Sequence, residues 1–215
     1  MIDHLVYASA NLSSASAGIA ALFGATPTPG GSHVGRGTHN DLLCLGGTTY
    51  LEIIGPDPSQ PAPDDPRPFG IDDLVEPALV AWCARPARPL DEVVSAARAT
   101  GIDFGLVTAM SRRRPDDVLL EWELTVPQLD GPFGCALPFL IDWGASVHPT
   151  DTLPQVVRLI ALDVTHPEPE TLRAVFDVIG LTTECTVRHG ACGLSATVAT
   201  PRGEVTLTSW PSARR

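Results

Sequence analysis

Glu52 stands in the run Tyr50-Leu51-Glu52-Ile53-Ile54, an acid among residues that belong in a core. A carboxylate there is poorly solvated, and a nearby metal, protonated histidine or arginine removes most of the cost of its charge. Such an acid ligates a metal or, without one, serves as a general base whose pKa burial raises. The run reads as a strand, and so does Ile2 to Ala8. Alternation puts Tyr50, Glu52 and Ile54 on one face, and Ile2, His4, Val6 and Ala8 on one face of the other.

Other candidates cluster between these two strands. His33, Arg36 and His39 lie in a hairpin with Gly30, Gly31, Gly35 and Gly37, residues that permit tight turns and close approach to a ligand. On the strand from Thr38, Asn40 shares a face with Leu42 and Cys44, so Asn40 points inward while His39 points away. Arg112-Arg113-Arg114 is the only basic cluster. It reads either as a clamp for a carboxylate or phosphate or as a solvated strand end. Trp82, Trp122 and Trp143 fall on strands and offer an aromatic pocket wall, or else core packing. Cys185, His189 and Cys192 do not have the spacing of a zinc knuckle, and neither a nucleophile elbow nor a phosphate-cradling glycine loop is present.

The elements that must position these groups recur in order. Strand Ile2–Ala8 is followed by a helix over 12–23 capped by Asn11 and ended by Gly24, then by strands near 26–33, 40–45 and 49–54. After a Pro/Asp-rich connection over 56–77 the order returns: strand 79–85, helix 90–100, strands 106–112, 118–126 and 139–143. A third round has a strand at 157–164, a helix at 170–179, and strands near 185–188, 194–200 and 204–209. Strand, helix and then hairpin-linked strands predict an α+β fold of βαβββ modules, with curved mixed sheets around a cleft. The expected division is a paired domain over 1–150, with modules at about 1–55 and 78–145, and a third module over 151–215. Having no internal mate, the third module is expected to form a homodimer or, failing that, an appended layer.

A chain of 215 residues with 44% hydrophobic content can bury a full core. Its net charge of −11 repels phosphate backbones and anionic lipid, so nucleic acid and membrane surfaces are poor partners. Every apolar stretch falls short of the roughly 20 residues of a membrane span. The amino terminus opens directly on a strand, with no signal segment, and the five cysteines are scattered, which points to a cytoplasmic protein with reduced thiols.

The ordered set Ile2-Asp3-His4-Leu5-Val6, Gly30-Gly31-Ser32-His33, Gly37-Thr38-His39-Asn40 and Tyr50-Leu51-Glu52-Ile53-Ile54 resembles a glyoxalase-like domain of the vicinal-oxygen-chelate superfamily. Leu120-Glu121-Trp122 and Leu137 to Gly144 continue the likeness to about residue 150. The resemblance implies a small-molecule pocket. In the members that use a metal it implies a first-strand His and a last-strand Glu facing the cleft, here His4 and Glu52. Zn, Fe or Mn would suit those donors, and a metal-free pair is the equal alternative. The second module offers Trp82 opposite His4 and Ile141 opposite Glu52, neither of them a ligand. The expected function is a lyase, isomerase or dioxygenase acting on an oxygen-bearing organic substrate through His4 and Glu52, with His33, Arg36, Asn40, Tyr50, Trp82, Trp122 and Trp143 binding the ligand. The alternative is a non-catalytic protein that sequesters an aromatic or amphipathic molecule.

Overall fold

A computed structural model describes residues 1–181 and 185–209, so residues 182–184 and 210–215 of the expected third module lie outside the described residues. Strand β1 (Ile2–Ala8) leads into helix α1 (Leu12–Phe23). Asn11 caps that helix by accepting from the Ser14 amide at 2.9 Å, and Gly24 ends it at φ 67°, a conformation glycine adopts without penalty. Strands β2 (Thr28–His33), β3 (Thr38–Cys44) and β4 (Tyr50–Pro56) follow as antiparallel neighbours, and β4 returns to lie parallel to β1. The second module repeats this wiring. Strand β5 (Ala78–Ala84) is followed by α2 (Leu90–Ala99), then β6 (Val107–Arg113), β7 (Leu119–Thr125) and β8 (Phe139–Asp142), with β8 parallel to β5.

The two modules close on each other into one eight-stranded barrel, in the order β1-β4-β3-β2-β6-β7-β8-β5. One seam is the long antiparallel β1–β5 pair, and the other is the short β2–β6 pair, Ser32 with Arg113 and His33 with Arg112. The short seam depends on Gly31. Its φ is 131°, and a Cβ there would stand 2.0 Å from the Arg113 carbonyl oxygen. The wall has two faces because strand side chains alternate. His4, Val6 and Ala8 of β1 point into the barrel with Tyr50, Glu52 and Ile54 of β4, whereas Leu5, Leu51 and Ile53 point out into a core shared with the helices.

The third passage keeps the βαβββ order but not the wiring. Strand β9 (Arg158–His166), helix α3 (Pro169–Ile179), β10 (Thr186–His189), β11 (Gly193–Thr200) and β12 (Gly203–Thr208) form a separate sheet in the order β10-β9-β11-β12. Here the strand after the helix, rather than the last strand, lies parallel to the first. The buried faces of β9, β11 and α3 join the outer core of the barrel, so the third unit finds its mate within its own chain as an appended layer. Its apolar face does not require a second copy of the chain.

Trp82 corrects one expectation. Val6 pairs with Ala81 but Tyr7 pairs with Leu79, so Val80 is the extra residue of a bulge. The bulge shifts the alternation by one. Trp82 pairs with Leu5 and faces outward with it, and Cys83 instead lies beside His4. Trp82 is fully buried against Phe176 of α3, at 5.4 Å between rings, and its indole N–H donates to the Ala136 carbonyl at 3.2 Å. It therefore clamps the appended layer to the barrel. Trp82→Ala should lower the unfolding free energy by about 3–5 kcal/mol in urea titrations, as for other buried large aromatics. Ligand binding by the protein that remains folded should be unchanged.

Candidate functional site

The barrel interior opens into a cavity of about 370 Å³. That lies at the lower end of the roughly 300–1,000 Å³ of small-molecule sites. Strands of both modules wall it. The first supplies His4, His33, Asn40, Tyr50 and Glu52, and the second supplies Arg112, Trp122, Phe139, Ile141 and Trp143. Arg36 lines it from the hairpin turn. His39 does not line it, because its neighbour Asn40 takes the inward face. Asp142, one residue from Ile141, is exposed on the other side of the wall.

Part of the wall was not foreseeable. The Pro-rich connection over 56–77 folds back across the cavity and contributes Pro63, Pro66 and Phe69. It is tied down by Arg67, whose Nε donates to the Gly37 carbonyl at 2.9 Å. Composition marks that segment as irregular but carries no signal of where it docks.

Glu52 is the centre of the polar network and is 7% exposed. Its Oε1 accepts from Asn40 Nδ2 at 2.6 Å and stands 3.5 Å from His33 Nε2, while Oε2 stands 3.8 Å from His4 Nε2. Asn40 is oriented from both sides, since its Oδ1 accepts from Arg112 Nη1 at 3.2 Å. An arginine only donates and a carboxylate only accepts, so the amide can sit one way round. The His33 ring meets the Thr38 hydroxyl through Nδ1 at 3.0 Å. Burial lowers the His33 pKa to about 4; Glu52 pulls it up, but Arg112, His39 and His4 oppose that pull. At neutral pH His33 is an uncharged acceptor.

His4 is held from behind by Asp3, a residue the sequence reading passed over. Asp3 is completely buried, and its Oδ1 meets His4 Nδ1 at 2.8 Å. Its Oδ2 accepts from the Trp143 indole at 3.1 Å and meets His148 Nε2 at 3.2 Å, with Arg85 Nε at 3.7 Å. Burial alone would push the Asp3 carboxyl up. The hydrogen bonds and charges of His148 and His4 outweigh it and hold the group well below the usual carboxylate range. An ionised Asp3 keeps the His4 proton on Nδ1 and turns Nε2 toward Glu52. Tyr50 stacks on the His4 ring at 4.7 Å, and Phe139 meets it edge-on at 5.3 Å. Burial first, and then the charges of Asp3 and Glu52, push the Tyr50 phenol far up, so it stays a donor. Trp122 and Trp143 lie 5.1 Å apart and form an aromatic wall.

The profile of the glyoxalase-like domain family matches residues 2–179, which takes in both barrel modules together with β9 and α3. The chain belongs to the glyoxalase-like domain family. A crystal structure of a hypothetical protein from Staphylococcus aureus shares the fold at TM-score 0.59 and 13% identity, over 96% of this chain and 84% of that one. Methylmalonyl-CoA epimerases align more weakly. The Mycobacterium tuberculosis enzyme gives TM-score 0.39 at 17% identity, over 65% of this chain and 84% of its own. The Streptomyces coelicolor enzyme gives 0.42 at 18%, over 69% and 98%. No curated protein matches the chain.

Whether this glyoxalase-like site fits a divalent metal is a question of donors. His4 Nε2 and Glu52 Oε2 can reach one ion between them. The second imidazole, His33, sits against the other carboxylate oxygen, which Asn40 already occupies. Among the described residues, Asp3, His4 and Cys83 bring donor atoms within 4.8 Å of one another. There, however, both Asp3 oxygens are already engaged by His4, Trp143 and His148. Burial, Asp3 and Glu52 all push the Cys83 thiol well above its ordinary value. The cavity offers two ready ligands, His4 and Glu52, where an open catalytic zinc centre uses about three from the protein. These residues do not make a complete metal centre.

The buried neutral His33 gives stability a sign that can be checked. Its folded pKa of about 4 lies below the ordinary 6.5, so the unfolded chain takes the proton first as pH falls. Its contribution is whole above pH 6.5, declines as pH drops toward 4, and changes no further below that. The loss due to Asp3 begins lower, under its ordinary value of 3.8. Urea unfolding across this range should show a decline of up to about 3 kcal/mol from His33, and His33→Gln should flatten that part of the curve.

Proposed function

We propose that this glyoxalase-like protein is an isomerase-type enzyme that moves a proton at the carbon beside a carbonyl of a small oxygen-bearing substrate. Glu52 is the base and His4 the second proton carrier. The observation that carries this reading is the Glu52–His4 pair, with its atoms 3.8 Å apart, both facing one cavity and each fixed from behind. Asn40 occupies Glu52 Oε1 and leaves Oε2 to accept a proton. Asp3 occupies His4 Nδ1 and leaves Nε2 to exchange one. Groups locked in this way need little reorganisation during a proton transfer. The protonated Tyr50 in the same wall supplies a donor for the oxygen of an enolate intermediate.

The Trp122–Trp143 wall supports the second reading, a protein that only sequesters an aromatic or amphipathic ligand. The charge of −11 supports leaving nucleic acid and membrane surfaces out of both. No helix among the described residues is long and apolar enough to cross a membrane.

Proton chemistry can be read without knowing the product. The protein is incubated in D₂O with a panel of 2-oxo acids, 2-substituted carboxylates and thioesters, and NMR follows the proton next to the carbonyl. The wild type should exchange it in at least one compound. Glu52→Gln should slow that exchange by about 10²–10⁴-fold while the fold is kept. Equal exchange in Glu52→Gln, or none by the wild type alongside quenching of tryptophan fluorescence, rejects the base and favours the sequestering protein.

A further inference from the structure

Of the three consecutive arginines, two are satisfied at the surface. Arg113 pairs with Asp117 at 3.0 Å and Arg114 with Asp116 at 2.9 Å. Arg112 differs. It is 3% exposed, it lines the cavity, and no carboxylate among the described residues lies within ion-pair distance. Its hydrogen bond goes from Nη1 to a neutral acceptor, Asn40 Oδ1, at 3.2 Å, and its buried Nε has no partner at all. On the adjacent strand Trp122, 8% exposed and also lining the cavity, has a buried indole N–H without a partner. The fold makes room for this arrangement. A Cβ on Gly30 would stand 2.2 Å from Asn40 Oδ1 and 3.0 Å from Arg112 Nη1.

A buried cation whose hydrogen bond reaches only a neutral group is costly, and unused donors beside it add to the cost. Glu52 relieves it only in part: its charge favours the guanidinium from across Asn40, but it forms no ion pair with Arg112, and its Oε1 is engaged by Asn40. An anionic group on the ligand would supply what Arg112 lacks. One guanidinium balances one negative charge, and Glu52 on the other side of Asn40 repels a second. A carboxylate suits that balance better than a dianionic phosphate.

We propose that Arg112, with Trp122 on the adjacent strand, anchors a carboxylate of the ligand. The inference deepens the reading of Glu52 as the base, and rests on it for the substrate class. Asn40 touches both Arg112 and Glu52, so a carboxylate held at one end places its neighbouring carbon toward the other. The substrate class is then a small 2-substituted carboxylic acid, bound as its monoanion.

Binding is measured by ligand-observed NMR on the full chain, with short 2-oxo and 2-methyl carboxylates, their primary amides and a phosphate monoester of similar size. The proteins are the wild type, Arg112→Met, Arg112→Lys and Glu52→Gln, with thermal unfolding as the control for fold. Carboxylates should bind wild type and Glu52→Gln, and the amides about ten- to hundredfold more weakly. Arg112→Met should weaken carboxylate binding by the same factor, and Arg112→Lys should restore part of it. If Arg112→Met does not fold, the carboxylate–amide difference on wild type and the Arg112→Lys result decide. Amides binding as well as acids, phosphate ester binding better than both, unaltered binding in Arg112→Met, or no carboxylate binding overturns the anchor. Arg112-dependent binding without Glu52-dependent exchange upholds the anchor and removes only the base.

Discussion

A single carboxamide keeps the two buried charges of the cavity wall apart. Without Asn40 between them, the Arg112 guanidinium and the Glu52 carboxylate would be free to close into an ion pair and spend their hydrogen-bonding capacity on each other. With it, each is oriented and neither is fully satisfied. The rest of the wall serves that separation. Gly30 leaves space for it, and the short β2–β6 seam at Gly31 brings the first module's hairpin against the second module's arginine.

Asp3 performs a similar task at the other end of the site. It lies on β1, yet besides its neighbour His4 its carboxylate gathers Trp143, His148 and Arg85 from distant points of the chain. The same buried acid therefore fixes the tautomer of a candidate catalytic imidazole and helps to bind the two modules to each other. Removal of such a charge leaves several donors without an acceptor, a cost greater than the loss of one contact.

Much of this was legible in the residue pattern. Alternation grouped His4 with Val6 and Ala8, Glu52 with Tyr50 and Ile54, and Asn40 with Leu42, and those faces point into the barrel; the grouping failed only for Ile2, which the irregularity at Asp3 turns to the outer core. Trp82 was placed opposite His4 by matching the second module to the first. The extra residue at Val80 shifts the phase of β5, and single-sequence alternation contains no sign of it. Asp3 was hidden by the same rule that exposed His4: as its neighbour it should face the outer side, and only the partners gathered by the fold show why a charge is there. The element order of the third passage was readable, but its wiring was not, since order along the chain does not determine which strands pair.

The closure of the barrel also constrains how copies of this protein meet. A sheet wrapped onto itself has no strand with a single neighbour, although the β2–β6 seam pairs only Ser32 with Arg113 and His33 with Arg112. Among the described residues, the strands with only one neighbour are β10 and β12, at the two borders of the appended sheet. The full-length free strand edges lie at those borders, on elements that contribute nothing to the cavity lining. Self-association through those edges would leave the pocket walls untouched.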